Sequence, residues 1–116
     1  MPPDRDRIRL LHMLEHAREA VQLVEERART DLDENRVLSL ALVRLLEIIG
    51  EAAAGVSAES RGKFPGVPWA EIVGLRNRLI HGYDSVDLDI VWNIVKGDLP
   101  ALVRDLAADP DLQADS

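Results

Sequence analysis

The chain has 116 residues, 47% of them apolar, a formal net charge of -7 and no cysteine. That length fits one modest core and not two, the lack of thiols excludes disulfides and thiolate metal sites, and the acidic balance argues against a general nucleic-acid coat, which needs many Lys and Arg contacts to phosphate. Four aromatics (Trp69, Trp92, Tyr83 and Phe64) leave Leu, Ile, Val and Ala to build the core, which suits packed helices. No apolar run approaches the ~20 residues needed to cross a bilayer. The start, Met1-Pro2-Pro3-Asp4-Arg5, lacks the apolar segment of a secretory signal, so the expectation is a cytoplasmic protein with no membrane partner.

From about Asp4 to Ala28, Leu10, Leu14, Ala17, Val21 and Val24 recur at the spacing of an amphipathic helix. A second helix is expected from Asp31 or Asp33, with acids in its first turn where they favour the helix dipole. It continues through Val37 to Ala52, apolar nearly all round. That pattern implies either a central position or a second chain covering its far side. Gly55 to Val67 forms a connection with the breakers Gly62, Pro65 and Gly66 and one short helical turn. Pro68 suits the first residue of a third helix, which runs to about Ile80 and stops at Gly82. Ser85 is the expected N-cap of a fourth, and Gly97 and Pro100 should kink or restart it, because proline cannot donate the internal hydrogen bond. The expected architecture is a single all-α domain over residues 1–107, a bundle of four or five helices with a kinked last helix. An acidic flexible tail at 108–116 completes it.

Three clusters of polar residues compete for a functional role. His12-Met13-Leu14-Glu15-His16 matches H-x-x-E-H, an inverted zinc-peptidase motif, but both imidazoles point away from the apolar stripe, toward solvent beside Arg5 and Arg9. An exposed helix face is the better reading, and no metal site is assigned. Glu47 and Glu51 lie one turn apart on the apolar second helix, yet no Glu-x-x-His partner appears on another helix to complete a di-metal site. The simpler reading pairs one of them with Arg44 or with Arg76.

The third cluster is Arg76-Asn77-Arg78-Leu79-Ile80-His81-Gly82-Tyr83. With Ile72 as zero and ~100° per residue, Trp69, Val73, Leu79 and Ile80 fill an apolar arc, and Arg76 falls within it at ~40°. A charge there needs a partner or a water-filled cleft. The structural reading is a core ion pair for Arg76, a polar helix end at His81 and a loop anchor at Tyr83. In the functional reading the guanidinium holds a phosphate and the imidazole moves protons near neutral pH. The two stand ~140° apart on an ideal helix. They converge only if the last turn loosens at Gly82 or if Arg and His from two chains meet across a symmetric interface. The region from Arg61 to Tyr83 is locally basic, with Arg61, Lys63, Arg76 and Arg78 against Glu71.

Arg76-x-x-x-x-His81-x-Tyr83 resembles the R-x4-H-x-Y signature of the HepT-like ribonuclease toxins, a branch of the HEPN superfamily. Leu46-Glu47-Ile48-Ile49-Gly50-Glu51-Ala52, Val67-Pro68-Trp69, and Asp89-Ile90-Val91-Trp92-Asn93-Ile94-Val95 followed by Asp98-Leu99-Pro100 also resemble that family, in the same order. The resemblance implies an all-helical HEPN-type homodimer whose two motifs share a cleft and cut RNA without metal or cofactor. His81 would be the general base or acid for attack of a ribose 2′-hydroxyl on the adjoining phosphate, leaving a 2′,3′-cyclic end, and Arg76 would stabilise charge on phosphorus. Asn77 would orient Arg76 or the phosphate, and Arg78 is a candidate RNA contact. The resemblance further implies a toxin whose partner is a minimal nucleotidyltransferase antitoxin, blocking the cleft by transferring AMP to Tyr83. The competing reading is a non-catalytic HEPN dimer that binds a nucleotide or a protein.

Overall fold

A computed structural model describes residues 4–80 and 85–113. The first amphipathic segment forms α1 (Asp4–Leu23), burying Leu10, Met13, Leu14, Ala17 and Ala20 against α3 (Arg36–Ala54) and α8 (Leu99–Ala107). It ends at Leu23 rather than Ala28. Val24 is buried, and the chain tightens there into three-residue bonds such as Arg27 N–H to Val24 O, a common helix ending.

Asp31 opens a helix as expected, but α2 (Asp31–Glu34) is only one turn long. Asn35 interrupts it with an extended backbone (φ -124, ψ 95), and its side-chain oxygen accepts the Leu38 N–H at 3.0 Å. Asn thus caps a new helix instead of continuing the old one, as its short polar side chain favours. That new helix, α3, is central: it packs on α1 and α2 and on the later helical segments Trp69–Val73, Leu75–Leu79 and Leu88–Asn93 and buries Leu38, Leu42, Leu45, Leu46 and Ile49. Its outer side nevertheless leaves Val37 78% and Leu40 53% exposed.

The connection after α3 contains the expected turn, α4 (Ala58–Arg61). Asp6 of α1 ties it down: its carboxylate accepts from Ser57 N–H at 3.1 Å, Ser57 Oγ at 2.5 Å and Ser60 Oγ at 2.7 Å. These bonds hold the buried Asp6 carboxyl below its ordinary pKa, the Ser57 hydroxyl contributing most, then Ser60.

The expected third helix is divided at Gly74 into α5 (Trp69–Val73) and α6 (Leu75–Leu79). Pro68 stands just before α5, in the cap position. After α6 the backbone turns extended at Ile80, which pairs with Val86 in an antiparallel bridge, and Asp87 N–H donates to Leu79 O at 3.0 Å. Asp87, rather than Ser85, caps α7 (Leu88–Asn93), its carboxylate accepting from Asp89 and Ile90 N–H. The kink in the last helix is a π turn at Ile94–Asp98, in which Leu99 N–H reaches back five residues to Ile94 O. Pro100, in the first turn of α8, has no N–H to continue the ladder, which accounts for the widened turn. Gly97 contributes no close packing, since a Cβ there would meet nothing within 4 Å.

The chain end differs from the expected frayed tail as far as Gln113. Asp109 caps a 3-10 turn at Pro110–Leu112, Leu112 is buried, and Arg7 Nε donates to Asp111 O at 3.1 Å. The short apolar anchor is one Leu in an otherwise acidic stretch. The fold class is the all-α bundle with a kinked last helix that the sequence implied.

Candidate functional site

Positions 37, 40, 44, 47, 51 and 54 of α3 succeed one another at three and four residues, the spacing that keeps side chains on one helix face. They read Val, Leu, Arg, Glu, Glu, Ala, and none is buried. The exposed apolar pair and the pair of carboxylates therefore lie along a single outward stripe.

Gly50 sits beside that stripe and decides what packs there. A Cβ on it would stand 3.0 Å from the Ile72 carbonyl oxygen of α5, so the missing side chain lets α5 approach α3 closely. The approach leaves a groove of about 240 Å³, lined by Gly50, Ala54 and Val73 and by the polar side chains of Glu47, Glu51, Arg76 and Asn77. Arg76 is at its rim. Its Nε lies 3.9 Å from Glu47 Oε2, while Arg44 Nη1 lies 3.9 Å from Glu47 Oε1 and 3.4 Å from Glu51 Oε1.

Arg76 is thus beside a carboxylate, but it is not buried. Its side chain is 76% exposed, which corrects its expected place within an apolar arc. The buried residues of α5 and α6 are Ile72, Leu75 and Leu79, with Val73 37% exposed. On the wheel these centre near ~-30°, because Leu75 and not Val73 faces the core, and Arg76 falls past the edge. The guanidinium gives up little hydration to sit there, and can meet an anion in the groove with paired N–H donors.

Asn77 lines the same groove. Arg78 does not: it borders a separate recess with Glu71, Ile72 and Asp98. His81 and Tyr83 lie outside the described residues. Ile80, one turn beyond Arg76, pairs with Val86 in the antiparallel bridge.

The other candidates separate clearly. His12 is exposed on the outer face of α1, and the partly buried His16 donates from Nδ1–H to the His12 carbonyl at 2.6 Å. The two rings meet edge to face at 6.1 Å, and among the described residues no group of three or more His, Asp or Glu side chains could hold a metal ion. Arg61 leaves the basic region for a structural role, since its guanidinium donates to Val56 O and Ala53 O at the end of α3 and stacks over Trp69, a favourable place for a cation. The groove itself was missed in the sequence. Gly50 inside an apolar helix, where glycine costs stability, was the available signal of a close approach.

A family model described as HepT-like, ribonuclease HepT-like, matches residues 13–108. The chain is 39% identical over 97 residues to "Putative RNase MJ1380" of Methanocaldococcus jannaschii, covering 84% of this chain and 89% of that one. It is 38% identical over 93 residues to "Probable ribonuclease HepT" of Thermococcus cleftensis, covering 77% and 84% respectively. No solved structure matches the chain significantly. The chain belongs to the HepT-like ribonuclease family. Among the described residues no helix is long and apolar enough to cross a membrane.

Proposed function

We propose that this protein is a metal-independent endoribonuclease, the toxin of a toxin-antitoxin pair, working as a homodimer in the cytoplasm. The observation that carries the reading is the exposed Arg76 guanidinium at the rim of a groove that shares one face of α3 with the exposed Val37 and Leu40. Apolar side chains left in water beside a cation favour a second copy seated on that face, which brings two Arg76 groups toward one seam.

In that seam Arg76 binds the phosphate and stabilises the negative charge that grows as a ribose 2′-hydroxyl attacks it. His81 takes the hydroxyl proton or gives one to the leaving 5′-oxygen, and the product carries a 2′,3′-cyclic phosphate. Asn77 supports Arg76 or the phosphate from the same groove, and Arg78, facing another recess, contacts RNA outside the cleaved link. A minimal nucleotidyltransferase antitoxin silences the site by placing AMP on Tyr83, whose added bulk and negative charge repel RNA.

The test is incubation of the purified protein with labelled RNA, with and without chelator. Cleavage that survives chelator and falls at least about a hundredfold in Arg76→Ala and His81→Ala supports the enzyme. A dimer that binds RNA or nucleotide without cutting it supports the binding module instead, and loss of cutting in chelator reopens a metal site at His12 and His16.

A further inference from the structure

Glu47 has no part in the chemistry above, yet it is the most withdrawn charge around the groove. Its side chain is 21% exposed, against 60% for Arg44, 64% for Glu51 and 76% for Arg76. Its two oxygens address two cations: Oε2 faces Arg76 Nε and Oε1 faces Arg44 Nη1, each at 3.9 Å. Arg44 Nη1 also donates to Glu51 Oε1 at 3.4 Å, so it bridges both carboxylates and offsets their charge.

An exposed ion pair of that length contributes little to folding stability. A carboxylate placed beside an arginine that must hold phosphate even opposes RNA binding. What it does supply is direction. Facing Nε at 3.9 Å, beyond hydrogen-bond reach, it attracts the guanidinium on its stem side, and the terminal nitrogens that form the bidentate fork are left for another acceptor. Gly50, one turn along α3, lets the Ile72 carbonyl of α5, the element just before Arg76's helix, come within 3.0 Å of where its Cβ would stand.

We infer that Glu47 is a positioning residue for Arg76, fixing the guanidinium so that its fork meets the scissile phosphate. The inference rests on the ribonuclease reading above. It separates binding from rate: Glu47→Gln lowers kcat about tenfold, in line with the cost of a misaligned catalytic group, while KM stays level or falls because a negative charge has left the groove.

The experiment is a double-variant cycle on the full chain with labelled RNA, using Glu47→Gln, Glu47→Asp, Arg76→Ala and the Glu47→Gln/Arg76→Ala pair. Three results are expected together: the kcat loss in Glu47→Gln with an unchanged thermal melt, partial recovery in Glu47→Asp, and no further loss when Glu47→Gln is added to Arg76→Ala. In addition, the Arg76 Nε–H resonance, assigned by its disappearance in Arg76→Ala, shifts in Glu47→Gln, a readout independent of cleavage. Wild-type protein that cuts RNA and loses activity in Arg76→Ala but not in Glu47→Gln overturns this inference alone, as does an unmoved Nε–H signal. Wild-type protein that cuts no RNA overturns the ribonuclease reading and this inference with it.

Discussion

Glu47 on α3 and Arg76 on α6 face each other across one groove, with 3.9 Å between Oε2 and Nε. The pair joins two helices far apart in sequence at the point where the family motif begins, and it leaves the guanidinium largely in water. An anchored base with open access is the combination that the proposed phosphate-binding role of Arg76 calls for.

Gly50 is what lets α5 come close to α3. Alanine there would normally gain up to about 1 kcal/mol of helix propensity, but its Cβ would stand 3.0 Å from the Ile72 carbonyl, a backbone atom that cannot rotate away. Gly50→Ala is expected to lose about 1 kcal/mol net, and Gly50→Leu up to about 3 kcal/mol as overpacking spreads. Urea unfolding at neutral pH measures both; a stabilised Gly50→Ala would show that α5 yields freely.

Asp6 gives the fold an acid limit. Its folded-state pKa is depressed below 3.8 by hydrogen bonds from Ser57 and Ser60. Its contribution is therefore complete above that ordinary value and disappears as pH falls through the lower, folded one. Asp6→Asn keeps one acceptor but loses the carboxylate oxygen shared by the two hydroxyls. The variant should melt earlier than wild type at pH 7, and the gap should narrow in acid below about pH 4. A gap that stays constant down to pH 2 would assign the loss to packing alone.

Leu40 tests the outward stripe of α3. At 53% exposure it contributes little to the core, so Leu40→Glu should leave the helical circular dichroism intact. If the proposed dimer forms through this face, light scattering should show it shifted to monomer, with the proposed cleavage lost in parallel. An unchanged dimer would move the interface elsewhere.

Much of this was legible in the residues. The spacing of Leu10, Leu14 and Ala17 gave α1, and the almost uniformly apolar run from Val37 gave a central α3. What escaped were the places where one polar or small residue outweighs a period: Asn35 dividing a helix, Gly74 splitting another and Leu112 anchoring a turn in an acidic end. The same applies at the site. Arg76 and its carboxylate partner were foreseeable from charge, but its exposure depended on Leu75 rather than Val73 facing the core, a choice made by tertiary packing that a helical wheel does not contain.

The most direct test of Arg76 as the phosphate-holding group is the chemical form of the RNA ends. Mass spectrometry of a defined oligoribonucleotide, incubated with wild-type protein in excess chelator, is expected to show 2′,3′-cyclic phosphate and 5′-hydroxyl ends, with the yield reduced at least about a hundredfold in Arg76→Ala. Equal yield from wild type and Arg76→Ala, or ends bearing a 5′-phosphate, would contradict it.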